Sequence, residues 1–265
     1  MLLLIKGAGD LASGVAVRLH HAGFQIVMTD LPKPTAIRRS VSFCRAISEE
    51  HAAVEGVHAH LAHNVQEARA VLQAGDIPVL ADALAQCAKA LAPDVLIDAI
   101  LAKKNTGTAM KDAPIVIALG PGFSAGKDCH AVVETMRGHD LGRVYLTGSA
   151  AENTGVPGSI GGYTSERILR APCEGVFEAL AQIGQRVRAG EKVATVNGEP
   201  VFSALDGVVR GILPSQTPVT AGMKSGDVDP RGVVEHCYTV SDKARAIGGG
   251  VLEAILALSG VLCHG

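Results

Sequence analysis

The apolar positions of the chain fall into short continuous runs separated by stretches of helical spacing. Leu2 to Ile5 and Gln25 to Thr29 read as buried strands, and Leu11 to Ala22 between them carries Leu11, Val15 and Leu19 on one helical face. The alternation continues: the pattern predicts strands over Ile77 to Leu80, Val95 to Ile100, Ile115 to Leu119 and Arg143 to Thr147. It predicts helices over Val65 to Ala74, over Asp82 to Leu91 and through Met136. Strands alternating with helices imply a mostly parallel sheet, so residues 1–165 are expected to form a Rossmann-like α/β domain.

The pattern changes after Ile168. Residues 171–196 align without a gap on residues 203–228, with Gly175, Val176, Val187, Ala189, Gly190, Lys192 and Val196 meeting Gly207, Val208, Val219, Ala221, Gly222, Lys224 and Val228. This internal duplication predicts one β-rich unit over 166–235 with a pseudo-two-fold relation between its halves. The repeat resembles the two halves of a biotinyl or lipoyl carrier domain, a small barrel-sandwich hybrid. The joint between them, "NGEPVF" from Asn197 to Phe202, has no attachment lysine, so covalent carriage of biotin or lipoate is not expected. In the last segment, 236–265, Ser241 can cap a helix whose stripe of Val251, Leu252, Ile255 and Leu256 is expected to pack back on the first domain. That packing would bring Asp227, Asp229 and Arg231 forward as further candidate site residues.

Composition narrows the function classes. Formal charge is -2, there is no Trp, and only three Tyr and five Phe are present, which leaves neither a basic field nor a stacking platform for nucleic acid. The start lacks a basic segment followed by a long apolar run, and no stretch is apolar for long enough to span a bilayer, so the expectation is a cytoplasmic protein. Cys44, Cys87, Cys129, Cys173, Cys237 and Cys263 contain no C-x-x-C pair, and mostly free thiols, several of them buried, are expected.

The candidate chemistry lies where strands end. Gly7, Gly9 and Ala12 form G-x-G-x-x-A between a strand and a helix, and Asp30 closes the next strand where a carboxylate can accept from a ribose hydroxyl. Gly7, Ala8, Gly9, Asp10, Leu11 and Asp30 are therefore candidates for a nucleotide-type ligand. Asp10 also places a carboxylate near any diphosphate, which favours a metal ion or a differently posed ligand over ordinary dehydrogenase binding. Arg38 and Arg39 suit either phosphate neutralisation or a solvated turn. "GPGFSAGKD" fails as a P-loop, because five residues separate Gly120 from Gly126 and Asp128 stands where Ser or Thr would hold magnesium. Gly120, Pro121, Gly122 and Lys127 remain candidates for an anion nest, the alternative being a plain glycine-rich connection. His58, His60 and His63 lack a nearby carboxylate or cysteine to complete a zinc set and read as exposed histidines on an edge strand; no metal is expected. Cys129 and His130 adjoin the nest, where a reactive thiol or ordinary packing are the two readings.

These segments together resemble the YqeB family. "GAGDLASGVAVRLHHAGFQIVMTDLPKPTAIRR", "ALGPGFSAGKD", "ETMRGHDLGRV", "NTGVPG", "GDVDPRG" and "SDKARAIGGGVLEAIL" carry the resemblance over nearly the whole chain. It implies an accessory or maturation factor for selenium-dependent molybdenum hydroxylases, with a molybdenum hydroxylase and its maturation machinery as partners and the molybdenum-pterin cofactor or its selenium ligand as cargo. The ligand at the glycine-rich edge would then be NAD(P) or a molybdopterin dinucleotide. It carries over no catalytic residue. An NAD(P)-dependent oxidoreductase, or a non-catalytic module that docks a molybdenum enzyme, are the alternatives.

Overall fold

The computed structural model describes residues 1–260; Cys263 lies outside the described residues. The chain divides into two compact units, one made of Met1–Pro34, Ser42–Thr154 and the segment from Val240 onward, the other of Thr35–Val41 and Gly155–Thr239.

The first unit holds β1 (Leu2–Lys6), α1 (Asp10–His21), β2 (Gln25–Thr29), α2 (Ala46–Glu49), β3 (His51–Val54), β4 (Val57–Leu61), α3 (Val65–Gln73), β5 (Ile77–Leu80) and α4 (Ala88–Leu91). It continues through β6 (Val95–Asp98), β7 (Ile115–Leu119), β8 (Ala131–Val133) and β9 (Val144–Tyr145). These nine strands form one sheet in the order β3-β4-β5-β2-β1-β6-β7-β8-β9, parallel except for the outermost pairs. The six central strands follow the order of doubly wound dinucleotide-binding sheets, with the reversal of direction between β1 and β6. Such strands are buried on both faces; β7 accordingly reads as an unbroken apolar run, and β1 and β6 do so up to their last residues, Lys6 and Asp98.

Five local expectations are corrected. The stretch 82–91 forms a helix only over Ala88–Leu91, because Ala85 adopts a left-handed conformation (φ 52°) and Asp82 instead accepts from the Cys87 amide at 2.8 Å. No helix runs through Met136: Ala131–Val133 is a fully buried strand beside β7, as its β-branched valines favour. The strand over 95–100 stops at Asp98, and that over 143–147 keeps only Val144 and Tyr145. His58 and His60 lie on β4, which is covered on its outer side by β3 and is not an edge.

Helical crossovers are missing between β6 and β8, and the sheet there is packed by a helix from far along the chain. This is α5 (Asp242–Ser259), capped by Ser241, whose Oγ accepts from the Ala244 amide at 3.2 Å. It lies on α1 and reaches β7, β8 and β9.

The second unit contains β10 (Ile168–Arg170), β11 (Gly175–Ala179), β12 (Arg186–Val187), β13 (Lys192–Val196), β14 (Glu199–Phe202), β15 (Gly207–Ile212), β16 (Thr217–Val219) and β17 (Lys224–Asp229). They form two antiparallel sheets, β10-β17-β15-β12 and β14-β13-β11-β16. The duplication is visible in the strands: β11 and β13 recur as β15 and β17, Gly175 matching Gly207 and Lys192 matching Lys224. The copies exchange their middle strands. β12 of the first pairs with β15 of the second, and β16 of the second pairs with β11 of the first. Phe177, Val193, Val196, Val209, Ile212 and Val228 from both copies fill a single core, so neither copy can bury its apolar face alone.

Candidate functional site

The carboxyl ends of β1, β2, β6 and β7 bring the sequence-predicted residues of the first unit to one edge of its sheet. Ligands of doubly wound sheets bind at such an edge, in the crevice where strand order reverses. Here that crevice lies between Lys6 of β1 and Asp98 of β6, which are register partners.

The glycine-rich turn after β1 is held from several sides. Gly7 donates to the Thr29 carbonyl at 2.7 Å, and the Ala8 amide donates to Asp30 Oδ2 at 2.7 Å. The Ala8 carbonyl accepts from the Cys44 amide at 2.9 Å and from Ser13 Oγ at 3.1 Å, while Ser13 Oγ accepts from the Phe43 amide at 2.8 Å. Gly7 has φ +97°, and a Cβ there would stand 2.8 Å from the Ala99 carbonyl oxygen. The first glycine of the motif is thus required by the loop after β6 as much as by any ligand.

Asp30 is placed where the spacing predicts. Its Oδ1 accepts from the Leu31 amide at 2.7 Å as Oδ2 accepts from Ala8, and each oxygen keeps a lone pair for a further donor. Burial pushes its carboxyl above the ordinary range, against the pull of the two amide bonds. Asp10 and Leu11 open α1, half-buried, and Gly9 is its N-cap. Among the described residues no side chain caps that helix, whereas Asn64 caps α3 and Ser241 caps α5. Gly9 itself offers no side-chain oxygen to the first turn of α1.

The loop after β7 divides in two. Gly120, Pro121 and Gly122 follow the strand, Gly122 at φ +100°, and a Cβ on Gly122 would lie 2.5 Å from Lys104 Cα. The five amides of 124–128 are taken up inside the protein: Ser124 donates to Asp128 Oδ2, Ala125 to the Gly148 carbonyl, Gly126 to that of Cys129, and Lys127 and Asp128 to that of Ser124. Lys127 is exposed at this closed turn. Cys129 is buried, and desolvation pushes its thiol up to about 12, which makes it a packing residue. His130 Nδ1 accepts from the Val116 amide at 2.9 Å, which fixes its ring against β7.

Residues the sequence did not single out occupy the crevice floor. Lys6 is buried, and its Nζ donates to Thr108 Oγ1 at 2.6 Å and stands 3.7 Å from Asp98 Oδ2. Thr108 Oγ1 in turn donates to Asp98 Oδ2 at 2.6 Å, and Asp98 Oδ1 accepts from the Ile100 amide at 3.2 Å. Leu101 and Lys103, in the same loop, adopt left-handed conformations (φ 59° and 63°) that side-chain-bearing residues seldom hold. The available signal was "DAILAKKN", where a buried strand ends on an aspartate and a loop with two lysines follows.

Other candidates fall elsewhere. Arg38 and Arg39 belong to the second unit, and neither sits in a solvated turn: Arg38 is 5% exposed and Arg39 Nε donates to the Ile212 carbonyl. His51 stacks on His58 with ring centroids 5.2 Å apart, and His60 Nε2 lies 3.0 Å from Asp76 Oδ2. Among the described residues no three His, Cys, Asp or Glu side chains are grouped to hold a metal ion. No helix there is long and apolar enough to cross a membrane.

Fold and edge together define a mixed α/β protein, a large mostly parallel sheet accompanied by a duplicated antiparallel unit. No family model matches the chain. A curated Escherichia coli (strain K12) protein, named Uncharacterized protein YqeB, is 50% identical over 257 residues, which is 97% of this chain and 48% of that protein. The chain belongs to the YqeB family, and it spans about half the length of the curated relative it matches. Among solved structures, an aspartoacylase family protein from Mesorhizobium loti aligns over 86% of this chain and 84% of its own, with 11% identity and a TM-score of 0.30. A succinylglutamatedesuccinylase/aspartoacylase from Rhodobacter sphaeroides aligns over 24% of this chain and 22% of its own, with 26% identity and a TM-score of 0.21.

Proposed function

We propose that this chain is an accessory factor in the maturation of selenium-dependent molybdenum hydroxylases and that the β1–β6 edge of its parallel sheet binds a nucleotide-type ligand, NAD(P) or the nucleotide end of a molybdopterin dinucleotide. The observation that carries the ligand reading is the uncapped N-terminus of α1, standing at the reversal of strand order with Asp30 beside it. The residues present fit such a group. Main-chain amides of Gly9, Asp10 and Leu11 would face a diphosphate, and Asp30 would accept from a ribose hydroxyl while keeping Ala8 in place. Asp10 disfavours a diphosphate seated deep over the helix axis and favours one displaced toward the 120–122 turn. Lys127 would then act from the exposed turn by charge alone, since the amides around it are already used.

The pathway rests on family membership, with a molybdenum hydroxylase and its maturation machinery as the partners. The duplicated unit is read as a barrel-sandwich hybrid of the carrier type. Its β13–β14 hairpin turns at Asn197–Gly198 where a carrier holds its modified lysine, and this fits a docking role instead of covalent carriage.

Calorimetric titration of the full chain with NAD, NADP, CDP and molybdopterin cytosine dinucleotide tests the ligand reading. Binding of at least one of them, weakened by Asp30→Ala and by Gly9→Val, is the expected result. Failure of all four to bind overturns it. Preference for NAD or NADP over the pterin ligand would favour the oxidoreductase alternative.

A further inference from the structure

Helix α5 carries two apolar stripes, and its own chain uses one of them. Ile247, Val251, Ala254 and Ile255 are fully buried on the side that meets α1 and the sheet. Gly249, Leu252, Glu253, Leu256 and Ala257 recur at spacings of three and four, so they form a second stripe along the helix. This stripe is not covered. Together with Arg18, from the last turn of α1, it lines an open groove of about 580 Å³. Leu252 and Leu256 are half-buried there, while Glu253 and Ala257 are exposed.

The three consecutive glycines of this helix are not equivalent. A Cβ on Gly248 would press on the Arg18 side chain at 3.3 Å, and one on Gly250 would run into the Gly142 carbonyl, so the packing of α5 on its own chain requires both. Gly249 is different, because a Cβ there would meet no atom within 4 Å. A glycine in a helix interior costs stability relative to alanine, and the usual return for it is the close approach of another backbone. Among the described residues no element supplies that backbone.

The charges on the groove are a second, independent sign. Arg18 and Glu253 line it with opposite charges, yet neither side chain has an ion pair or hydrogen bond among the described residues. A partner with one strong charge would suit one of them and repel the other. A second copy of the same surface suits both, since a two-fold axis through the groove brings each arginine to the other copy's glutamate.

We propose that this chain forms a two-fold dimer through the α1–α5 groove, α5 of each copy packing along α5 of the other at Gly249, Leu252 and Leu256, with reciprocal Arg18–Glu253 pairs at the rim. The leucines lose their remaining contact with water in that packing and supply the affinity, while the ion pairs fix the register. The groove meets α1 at its carboxyl end, away from the crevice at its amino end, so the dimer stands apart from the nucleotide reading.

Analytical ultracentrifugation of the full chain over a concentration series at low ionic strength is the test. Wild type is expected to pass from monomer to dimer within the micromolar range. Arg18→Glu and Glu253→Arg each set like charges against each other twice across the axis, and each is expected to weaken the dimer at least tenfold with an unchanged circular dichroism spectrum. An equimolar mixture of the two variants is expected to dimerise as wild type does, because a mixed pair restores both contacts. Gly249→Leu is expected to weaken association by a similar factor while melting no lower in dilute solution, since its side chain has open space within the chain. A wild type that stays monomeric through the hundred-micromolar range overturns the proposal, whether the groove is bare or receives another protein. So does a dimer that either charge reversal or Gly249→Leu leaves unchanged, and so does a mixture that associates no more tightly than its components. Should Gly249→Leu not fold, the charge variants and their mixture decide, because both residues are exposed.

Discussion

The Lys6 ammonium and the Asp98 carboxylate face each other across the β1–β6 seam at 3.7 Å, with the Thr108 hydroxyl bonded to both. Both charges are buried, so their mutual attraction must offset a desolvation penalty that neither meets alone.

Removing one member should therefore cost more than removing both. Asp98→Ala is expected to destabilise the first unit by about 3–5 kcal/mol by leaving Lys6 unpaired, and Lys6→Met combined with Asp98→Leu should recover most of that loss. Urea unfolding of the single and double variants measures it; additive losses would show that the pair does not act as a unit.

Asp30 makes a pH-dependent contribution of the opposite kind to a salt-bridged carboxylate. Burial raises its folded-state carboxyl above the unfolded value, so the folded chain holds its proton more tightly and stability falls as pH rises from about 4, the ordinary Asp value, through the raised one. Asp30→Asn cannot titrate. The wild-type melting temperature minus that of Asp30→Asn should be larger at pH 4 than at pH 7, and a difference independent of pH would contradict the cause given for the shift.

The contact of α1 with α5 depends on a missing side chain. A Cβ on Gly14 would fall 2.6 Å from the Ala244 Cβ and 2.9 Å from a Val240 methyl. Gly14→Val is expected to destabilise the first unit by about 1–3 kcal/mol through overpacking, and deletion from Ser241 onward should lower the melting temperature of the same unit. Hydrogen exchange in β7 and β8, which α5 covers, reports both changes; unchanged protection there would remove α5 from the core.

Thiol chemistry should be selective. Cys44, Cys87, Cys129 and Cys237 are buried with thiols raised mainly by desolvation, Cys87 to about 12, while Cys173 is partly exposed. Alkylation of the native chain followed by peptide mass spectrometry should therefore label Cys173 well before those four. Early labelling of Cys129 would instead mark it as reactive.

Much of the sheet was legible because its strands are fully buried, and a continuous apolar run such as Ile115–Leu119 is readable without knowing its neighbours. The motif residues Gly7, Gly9 and Asp30 were equally legible, since a strand, a tight turn and an acid at fixed spacing form one local unit. What escaped is what depends on distant partners. Ala131–Val133 is too short to distinguish strand from helix by period, and only its pairing with β7 settles it. Lys6 looks like a strand flank until Asp98 and Thr108 are brought to it. Arg210 looks like an exposed strand residue, yet it is buried on β15, where residue Ile37, far earlier in the chain, bonds to the Ile212 amide of the same strand.

That early segment, together with α5, sets the order in which the molecule can be completed during synthesis. The ribosome makes residues 35–41 long before the strand they cover, and the whole antiparallel unit precedes the helix that packs β7 and β8. The nascent α/β unit therefore emerges with one flank of its sheet uncovered and keeps it so until some hundred further residues have been translated. A translating intermediate of this kind exposes apolar sheet to chaperones and to other chains for many seconds at ordinary elongation rates. Stalled nascent chains ending before Ser241 should therefore be chaperone-bound, and truncated products of the gene should be the species that aggregate.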